Sequence, residues 1–273
     1  MGRVNKYGLS DDIPEPTKRI IRQRAGFGCA ICGSAFGSYH HFSPKFADAR
    51  DHHDPDGIVY LCRSCHGHAD TGWFSEEKVR FCAANPKPRE HGFSFGAFDV
   101  QGGEPTLHVG TVVAINCRNF FRIDRRPVLW VNPPEEKGAP FRLNADLKDR
   151  NGKEIFQIID NDLRIGVDKF DVKIEGRSIK IYDGLRKIDL SIRTEPPAHF
   201  HIEAMVMETD GYTISCDKNG LNVTSPASDT TLTIGSTTVV KPLSVIDINK
   251  DGIEFCVITE APRPHWEAAL LRY

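Results

Sequence analysis

The sequence predicts an α+β protein with a small zinc-binding domain followed by an all-β domain of the sandwich or barrel kind. The amino-terminal part contains two C-x-x-C pairs and two short helical patterns, whereas from Thr106 onward most apolar residues alternate with period two, as in half-buried strands. Asn-Gly and Asp-Gly dipeptides, which favour tight hairpin turns, separate these runs. We therefore predict domains over residues 1–84 and 106–273, joined by a Gly- and Pro-rich linker over residues 85–105.

The composition indicates an ordinary soluble globular protein: 273 residues, of which 40% are hydrophobic and 26% are charged. The net charge of −2 excludes a uniformly basic nucleic-acid-binding protein. The first residues contain no apolar signal-peptide core, and no run of about 18 apolar residues occurs in the sequence. We therefore expect a cytoplasmic protein that does not span a membrane, in which cysteines stay reduced and are free to bind metal.

Two helices, a broken helix and two short strands are predicted in the amino-terminal part. The first helix should begin near Pro16 and end at Gly26, because Pro is tolerated in a first turn and Gly ends helices. Ser75 should cap a second helix, with a further broken helix from Gly67 onward. The apolar runs at residues 38–42 and 57–61 have strand character.

The carboxy-terminal part is predicted to be a series of short strands. The runs that carry the alternation are residues 106–117, 126–132, 141–147, 154–160, 170–176, 178–184, 187–193, 200–207 and 211–216. Residues 262–273 are expected to add a final short helix. No catalytic constellation is visible in this part, and its acidic character makes it a poor candidate for DNA binding. We expect it to bind a protein partner, to self-associate or to act as a regulatory domain.

Four cysteines form the two C-x-x-C pairs: Cys29, Cys32, Cys62 and Cys65. Four thiolates at this spacing can close a tetrahedral zinc site. Since four thiolates leave zinc no open position, the expected role of this ion is structural. The remaining cysteines are scattered, and we expect them to be small buried core residues.

Six histidines lie between or just after the two pairs: His40, His41, His52, His53, His66 and His68. A C-x-x-C pair, a His-His pair, a loop, and an apolar run ending in Leu-Cys-Arg-Ser-Cys-His at residues 61–66 follow one another in this order. This order resembles that of the HNH endonucleases, which belong to the ββα-metal or His-Me finger nucleases. The resemblance covers about residues 17–80.

The resemblance implies a metal-dependent endonuclease that acts on DNA, with double-stranded DNA as the expected substrate. By position, His41 matches the general base of the family, and His40 and His66 match the ligands of the catalytic divalent ion. Phosphodiester hydrolysis needs an activated water and neutralisation of charge, which an imidazole base and a divalent ion can supply. Mg²⁺ or Mn²⁺ is the expected catalytic ion, with Ni²⁺ or Co²⁺ as alternatives, because imidazoles are softer ligands than Mg²⁺ prefers.

The sequence departs from the family at the middle Asn, whose position is taken by Gly57. The preceding Asp56 is a candidate for the same role, because Asp readily makes hydrogen bonds in turns. His52 and His53 lie in an Asp-rich loop and are expected to be solvated, whereas Trp73 is expected in the core.

Three other functions remain open from the sequence. The main alternative is a non-catalytic zinc-binding module that recognises nucleic acid or protein. A nicking enzyme and an RNA nuclease are further alternatives with the same site. A role in prokaryotic defence is associated with the family rather than derived from these residues.

Overall fold

The computed structural model describes residues 3–100, 102–225, 231–249 and 252–258. Within these ranges the chain is mostly β, and its helices all lie in the amino-terminal part. The helix predicted for residues 262–273 lies outside the described residues. No helix among the described residues is long and apolar enough to cross a membrane.

The helices are α1 Glu15–Ala25, α2 Arg63–Asp70, α3 Glu76–Ala84 and α4 Lys87–His91, with 3₁₀ turns at Phe46–Asp48 and Pro55–Gly57. The strands are β1 Ser38–His41, β2 Ile58–Leu61, β3 Phe93–Ala97, β4 Thr106–Val109, β5 Val112–Ile115, β6 Asn119–Ile123, β7 Arg126–Asn132, β8 Arg142–Lys148, β9 Glu154–Ile159, β10 Asp162–Gly166, β11 Asp171–Glu175, β12 Ser178–Gly184, β13 Lys187–Glu195, β14 His199–Thr209, β15 Tyr212–Asp217, β16 Gly220–Thr224, β17 Thr231–Ile234, β18 Thr237–Val240, β19 Ser244–Asn249 and β20 Gly252–Val257.

Local capping explains the two predicted helices, α1 and α3. Gly26 has a left-handed backbone with φ of 66° and ends α1. The Ser75 hydroxyl accepts a hydrogen bond from the Lys78 backbone N–H at 3.2 Å and begins α3. Helix α2 begins at Arg63, four residues before the predicted start at Gly67, because the Cys62 thiol accepts a hydrogen bond from the Cys65 N–H at 3.4 Å and serves as the cap.

The amino-terminal part contains a β-hairpin followed by a helix. Strands β1 and β2 pair antiparallel, with His40 opposite Val59 and His41 opposite Ile58. Helix α2 follows β2 directly, so that the chain has the order β1–β2–α2. Beneath the hairpin lies a small apolar core that is separate from the core of the large sheets. This hairpin and helix carry all the histidines predicted to act in the site.

Two large sheets make up the rest of the described chain. One has eight strands in the order β20-β19-β6-β7-β8-β9-β10-β3. The other runs β11-β12-β13-β14-β15-β16-β17, and β4, β5 and β18 extend it from β14. A single hydrophobic core contains residues from both sheets, such as Phe120 and Phe156 of the first and Ile181 and Met207 of the second. Both sheets are open among the described strands, so the barrel alternative is wrong there.

Two segments differ from their sequence-based predictions. The run at residues 106–117 forms two strands, β4 and β5, because Gly110 adopts a φ of 58° and reverses the chain. Much of the predicted linker over residues 85–105 is regular structure: it contains α4 and then β3, which pairs with β10 as an edge strand. The backbone of Gly92, at a φ of 83°, ends α4 and allows the following residues to enter the sheet.

A buried ion pair joins the amino-terminal part to the second large sheet. The Arg22 guanidinium on α1 donates hydrogen bonds to both carboxylate oxygens of Asp171 on β11, at 2.8 and 2.7 Å. Both side chains are almost fully buried. Removal of one partner from such a pair costs about 3–5 kcal/mol, because the other charge is left buried and unpaired. The pair therefore fixes α1, and the surfaces that α1 lines, against the sheet.

Candidate metal and catalytic site

The four cysteines of the C-x-x-C pairs come together around one point. Cys29 and Cys32 lie in the turn before β1, and Cys62 and Cys65 lie where β2 leads into α2. Their sulfur atoms all lie within 4.8 Å of one another, and the Sγ atoms of Cys32 and Cys62 are 3.6 Å apart. Tetrahedral zinc with Zn–S bonds of about 2.3 Å places its sulfur ligands about 3.8 Å apart. The geometry therefore fits a structural metal ion such as zinc.

The environment of the thiols also fits a cation. Cys29 and Cys65 are buried, and burial raises the pKa of Cys65 to about 12. A hydrogen bond from the Cys32 thiol lowers the pKa of Cys29 to about 5, so that the Cys29 thiolate is favoured, while the pKa values of Cys32 and Cys65 are raised. A divalent cation would compensate the repulsion among four thiolates at this distance.

A second group of possible metal ligands lies beside the cysteines and contains His40, His66 and Asp70. The Asp70 carboxylate lies 3.2 Å from His40 Nδ1 and 3.6 Å from His66 Nε2. One donor atom from each side chain lies within 4.8 Å of the others. Metal–ligand bonds of about 2.1 Å separate two ligands of one ion by about 3–4 Å. The three side chains can therefore reach a single divalent ion.

Asp70 is the residue of this group that the sequence analysis missed. It follows His66 by four residues on α2, so that both side chains lie on the same face of the helix. The misplaced start of α2 at Gly67 concealed this spacing. His66 is held from the other side by a hydrogen bond between its Nδ1 and the Ser38 hydroxyl at 2.8 Å. Burial, followed by the nearby His66, lowers the pKa of His40, which favours the neutral imidazole that binds metals.

His41, the predicted general base, lies at the end of β1 and contacts a second histidine. Its Nε2 lies 2.9 Å from Nδ1 of His53, whose Nε2 lies 2.9 Å from the Ser10 carbonyl oxygen. The prediction that His53 is solvated is wrong: the residue is 6% exposed, and its ring stacks against Phe46. Burial, followed by the neighbouring His53, lowers the pKa of His41 to about 4.

Two hydrogen bonds in series, from His41 to His53 and from His53 to the Ser10 carbonyl, determine which nitrogen of His41 can accept a proton. The Ser10 carbonyl only accepts, so His53 Nε2 must donate to it. In neutral His53, Nδ1 is then an acceptor, and His41 must donate from Nε2. This tautomer leaves an unprotonated lone pair on His41 Nδ1, which is the form that a general base requires.

Steric contact explains the Gly at position 57. A Cβ atom there would lie 2.0 Å from the Ser43 carbonyl oxygen, so no side chain fits. The Gly57 carbonyl accepts a hydrogen bond from the Phe42 N–H at 2.9 Å, next to His41. Asp56, the candidate for the role of the missing Asn, is exposed and pairs with Arg24 at 2.8 Å instead. The side chain that is hydrogen-bonded to His41 is that of His53.

The histidines of the site border a common cleft of about 780 Å³. Its lining includes His40, His41, His66 and Asp70, the basic residues Arg3, Lys18 and Lys45, and the acidic residues Asp11 and Glu76. Charges of both signs are thus balanced in the protein alone, and a bound divalent cation would make the cleft positive. Trp73 is 79% exposed near the cleft, so the prediction that it lies in the core is wrong.

The structure thus brings His40 and His66 together with Asp70, and it places His41 on the border of the same cleft. The four cysteines form their own group and share no ligand with it. Comparison with known proteins adds no family to this description: no family model matches the chain, and neither a curated protein nor a solved structure matches it.

Proposed function

We propose that the chain is a metal-dependent endonuclease of the HNH type that hydrolyses phosphodiester bonds of double-stranded DNA in the cytoplasm. One observation carries the proposal. One cleft is bordered by a neutral histidine with a free lone pair, His41, and by a group of side chains with nitrogen and oxygen ligand atoms. Both lie on a β-hairpin and helix beside the four cysteines. This combination supplies a base and a place for a cation within reach of one substrate.

His41 acts as the general base. Its low pKa keeps the imidazole neutral at physiological pH, so that Nδ1 can take a proton from an attacking water molecule. His53 is a positioning residue, because its hydrogen bond fixes the ring and the tautomer of His41. The Ser10 carbonyl in turn fixes His53.

His40, His66 and Asp70 are the side chains that would hold the catalytic divalent ion. Such an ion, when bound, neutralises charge on the scissile phosphate and stabilises the leaving oxygen. The Asp70 carboxylate adds an oxygen ligand to the two imidazoles, which suits Mg²⁺ and Mn²⁺ better than imidazoles alone, while Ni²⁺ and Co²⁺ remain compatible. The cysteine group is separate and would hold a structural zinc ion.

Basic side chains around the cleft would bind the phosphates that flank the cleaved bond. Lys45 is exposed, and Arg3 lies over the Phe46 ring at 5.8 Å, both on the cleft border. Such contacts orient the nucleic acid without reading its sequence. The β-rich part is proposed to bind a protein partner, to self-associate or to regulate the nuclease. Its ion pair with α1, between Asp171 and Arg22, is the contact through which a change in the β-rich part could move the nuclease part.

Plasmid cleavage tests the proposal directly. Supercoiled plasmid is incubated with the purified protein and Mg²⁺, Mn²⁺, Ni²⁺ or Co²⁺, beside the variants His41→Ala and His52→Ala. His52 is an exposed neighbour of His53 and is the matched control. We expect His41→Ala to slow cleavage by about 10²–10⁴-fold and the control to cleave normally. Nicked and linear products distinguish single-strand from double-strand cleavage, and a labelled RNA tests the other substrate.

Two further outcomes separate the proposal from its rival. A low dose of chelator should stop cleavage while the cysteine-bound zinc remains in the protein, because the two ions have different ligands. If the wild-type protein leaves plasmid and RNA intact under every metal, the chain is a non-catalytic binding module and the enzyme proposal is wrong.

A further inference from the structure

A cluster of three histidines lies on the second large sheet, far from the cleft in sequence. His108 is on β4, and His199 and His201 are on β14. The two strands run parallel, with His201 opposite His108. Residues two apart on a strand share a face, so His199 and His201 point the same way, while Phe200 between them is buried in the core. Three imidazoles therefore meet on the outer face of the sheet.

The distances within this cluster fit one metal ion. Nε2 of His108 lies 3.2 Å from Nδ1 of His199, and the rings of His108 and His201 stack with centroids 4.0 Å apart. One nitrogen from each of the three rings lies within 4.8 Å of the others. Among the described residues, buried Nε2 of His201 has no hydrogen-bond partner, although the Glu195 carboxylate is 3.5 Å away. The long distance to Glu195 leaves Nε2 without a good partner in the protein, and the nitrogen can bind a metal ion once its proton has moved or been lost.

The surroundings favour the neutral form of His108 and of His201. Burial, followed by the neighbouring His201 and His199, lowers the pKa of His108 to about 4. Burial and the nearby Arg193 lower the pKa of His201. Neutral imidazole is the form that binds metal ions, and mutual repulsion of the charged forms makes a shared cation more favourable than three protons.

We propose that His108, His199 and His201 form a second metal site, which binds a divalent transition-metal ion such as Zn²⁺. Three imidazoles favour Zn²⁺, Ni²⁺ or Cu²⁺ over Mg²⁺ or Ca²⁺. Three protein ligands with an open position are also the ligand set of catalytic zinc sites, and the Glu195 carboxylate is close enough to be a fourth ligand or to contact a bound water. The site does not depend on the proposed nuclease function, since the two groups share no residue.

Arg193 on β13 competes with the metal for His201. Its guanidinium lies 3.3 Å from His201 Nδ1 and is also held by Glu195 and by Glu203. Because a guanidinium only donates, this contact makes Nδ1 an acceptor and places the proton of the neutral ring on Nε2. Binding of an ion through either nitrogen requires Arg193 to turn away. Arg193 should therefore weaken metal binding, and after it turns away it can still donate to the Glu195 and Glu203 carboxylates.

Zinc binding by the full chain tests the site. The protein is dialysed to equilibrium against buffers of fixed free Zn²⁺, and bound zinc per chain is measured by elemental analysis. The variants are His199→Ala, His201→Ala and the control His91→Ala, whose side chain is exposed and belongs to no ligand group among the described residues. All are made in a His66→Ala background, which weakens the cleft site and leaves the cysteine site intact.

We expect His199→Ala and His201→Ala to bind the zinc ion of the three-histidine site at least about tenfold more weakly than the control. Even the loss of a residue that only contacts a ligand weakens metal affinity by about 10-fold or more, and loss of a ligand should cost no less. Arg193→Gln should bind it more tightly, and weaker binding by this variant would contradict the described site. His199 is exposed, so its variant should fold even if His201→Ala does not. Equal zinc content and affinity in His199→Ala and the control would overturn the proposal.

Discussion

The two histidine clusters of this chain differ in how they are built. His40, His66 and Asp70 lie on one hairpin and helix, beside four cysteines, within a short stretch of sequence. His108 and His199 contact each other although 91 positions separate them, because β4 and β14 pair in parallel. The two histidines of the first cluster were expected from the family resemblance, because their motif lies within a short stretch of sequence. The second cluster depends on the register of strands that are distant in the chain.

The clusters also differ in what supports them. The hairpin and helix rest on a small apolar core that includes the cysteines, whereas the strands of the second cluster are part of the large core shared by both sheets. A small apolar core contributes little stability, and small domains often add metal ions or other crosslinks. Loss of the cysteine-bound ion should therefore disrupt the first cluster and leave the second intact.

Among the substitutions that we predict, Cys65→Ser should change the protein most. Structural zinc sites contribute about 10–16 kcal/mol of apparent binding free energy, and a large part of it should be lost with one thiolate. We expect the variant to lose its tightly bound zinc and the amino-terminal part to unfold. The two large sheets should stay folded but melt at a lower temperature, because the Arg22–Asp171 ion pair is lost. Elemental analysis, circular dichroism and limited proteolysis measure these three effects.

The matched control is Cys82→Ser, because Cys82 packs against the same small core but belongs to no ligand group among the described residues. It should retain zinc and fold normally. If Cys65→Ser retained one zinc ion per chain and the wild-type pattern of proteolysis, the supporting role of the cysteines would be wrong.

Local patterns predict local structure in this chain. Helices α1 and α3 agree with the sequence analysis because their stop and start signals, Gly26 and Ser75, act over a single turn. The cysteine pairs come together as their spacing indicates. Asp70 escaped notice because recognition of its i,i+4 spacing to His66 required the correct start of α2, where a thiol takes the place of the usual hydroxyl or carboxylate cap.

Features that depend on packing could not be predicted. The partnership of His53 with His41 requires the path of the loop between β1 and β2, and a loop rich in Asp and His gives no sign that one ring is buried. Gly57 looked like a lost functional residue, but the close approach of the Ser43 carbonyl explains it sterically. The three histidines of the β-rich part required the pairing of β4 with β14.

Asp70→Asn tests the first cluster by removing the negative charge of its oxygen ligand without changing the shape of the side chain. Loss of a residue that only contacts a metal ligand weakens metal binding by about 10–100-fold, so we expect Mn²⁺ to bind Asp70→Asn at least about tenfold more weakly. Plasmid cleavage at limiting metal should fall similarly. Isothermal titration with Mn²⁺ measures the first effect. Asp51→Asn, in the exposed loop, is the control. An unchanged Mn²⁺ affinity in Asp70→Asn would exclude Asp70 as a ligand.

His53→Gln should have a smaller effect, because the change perturbs the position of His41 rather than removing it. Loss of the acceptor on His53 Nδ1 frees the ring and the tautomer of His41, and we expect kcat to fall by about 10–100-fold with KM nearly unchanged, in line with the loss of other outer-shell partners. The pH profile of kcat should shift as well, since His53 contributes to the low pKa of His41. If KM rises while kcat and the pH profile are unchanged, His53 does not position the base.

The smallest expected effect concerns pH and the second cluster. Because the pKa of His108 falls from about 6.5 in the unfolded chain to about 4 in the folded one, the unfolded state binds more protons between these values. The stability that His108 contributes is complete above about pH 6.5 and is lost as the pH falls toward 4. Urea unfolding of the β-rich part, followed by circular dichroism at pH 7 and pH 4.5, should therefore show a larger loss of stability in the wild type than in His108→Asn. Equal losses in the two proteins would mean that His108 titrates normally and that the cluster does not hold neutral imidazoles.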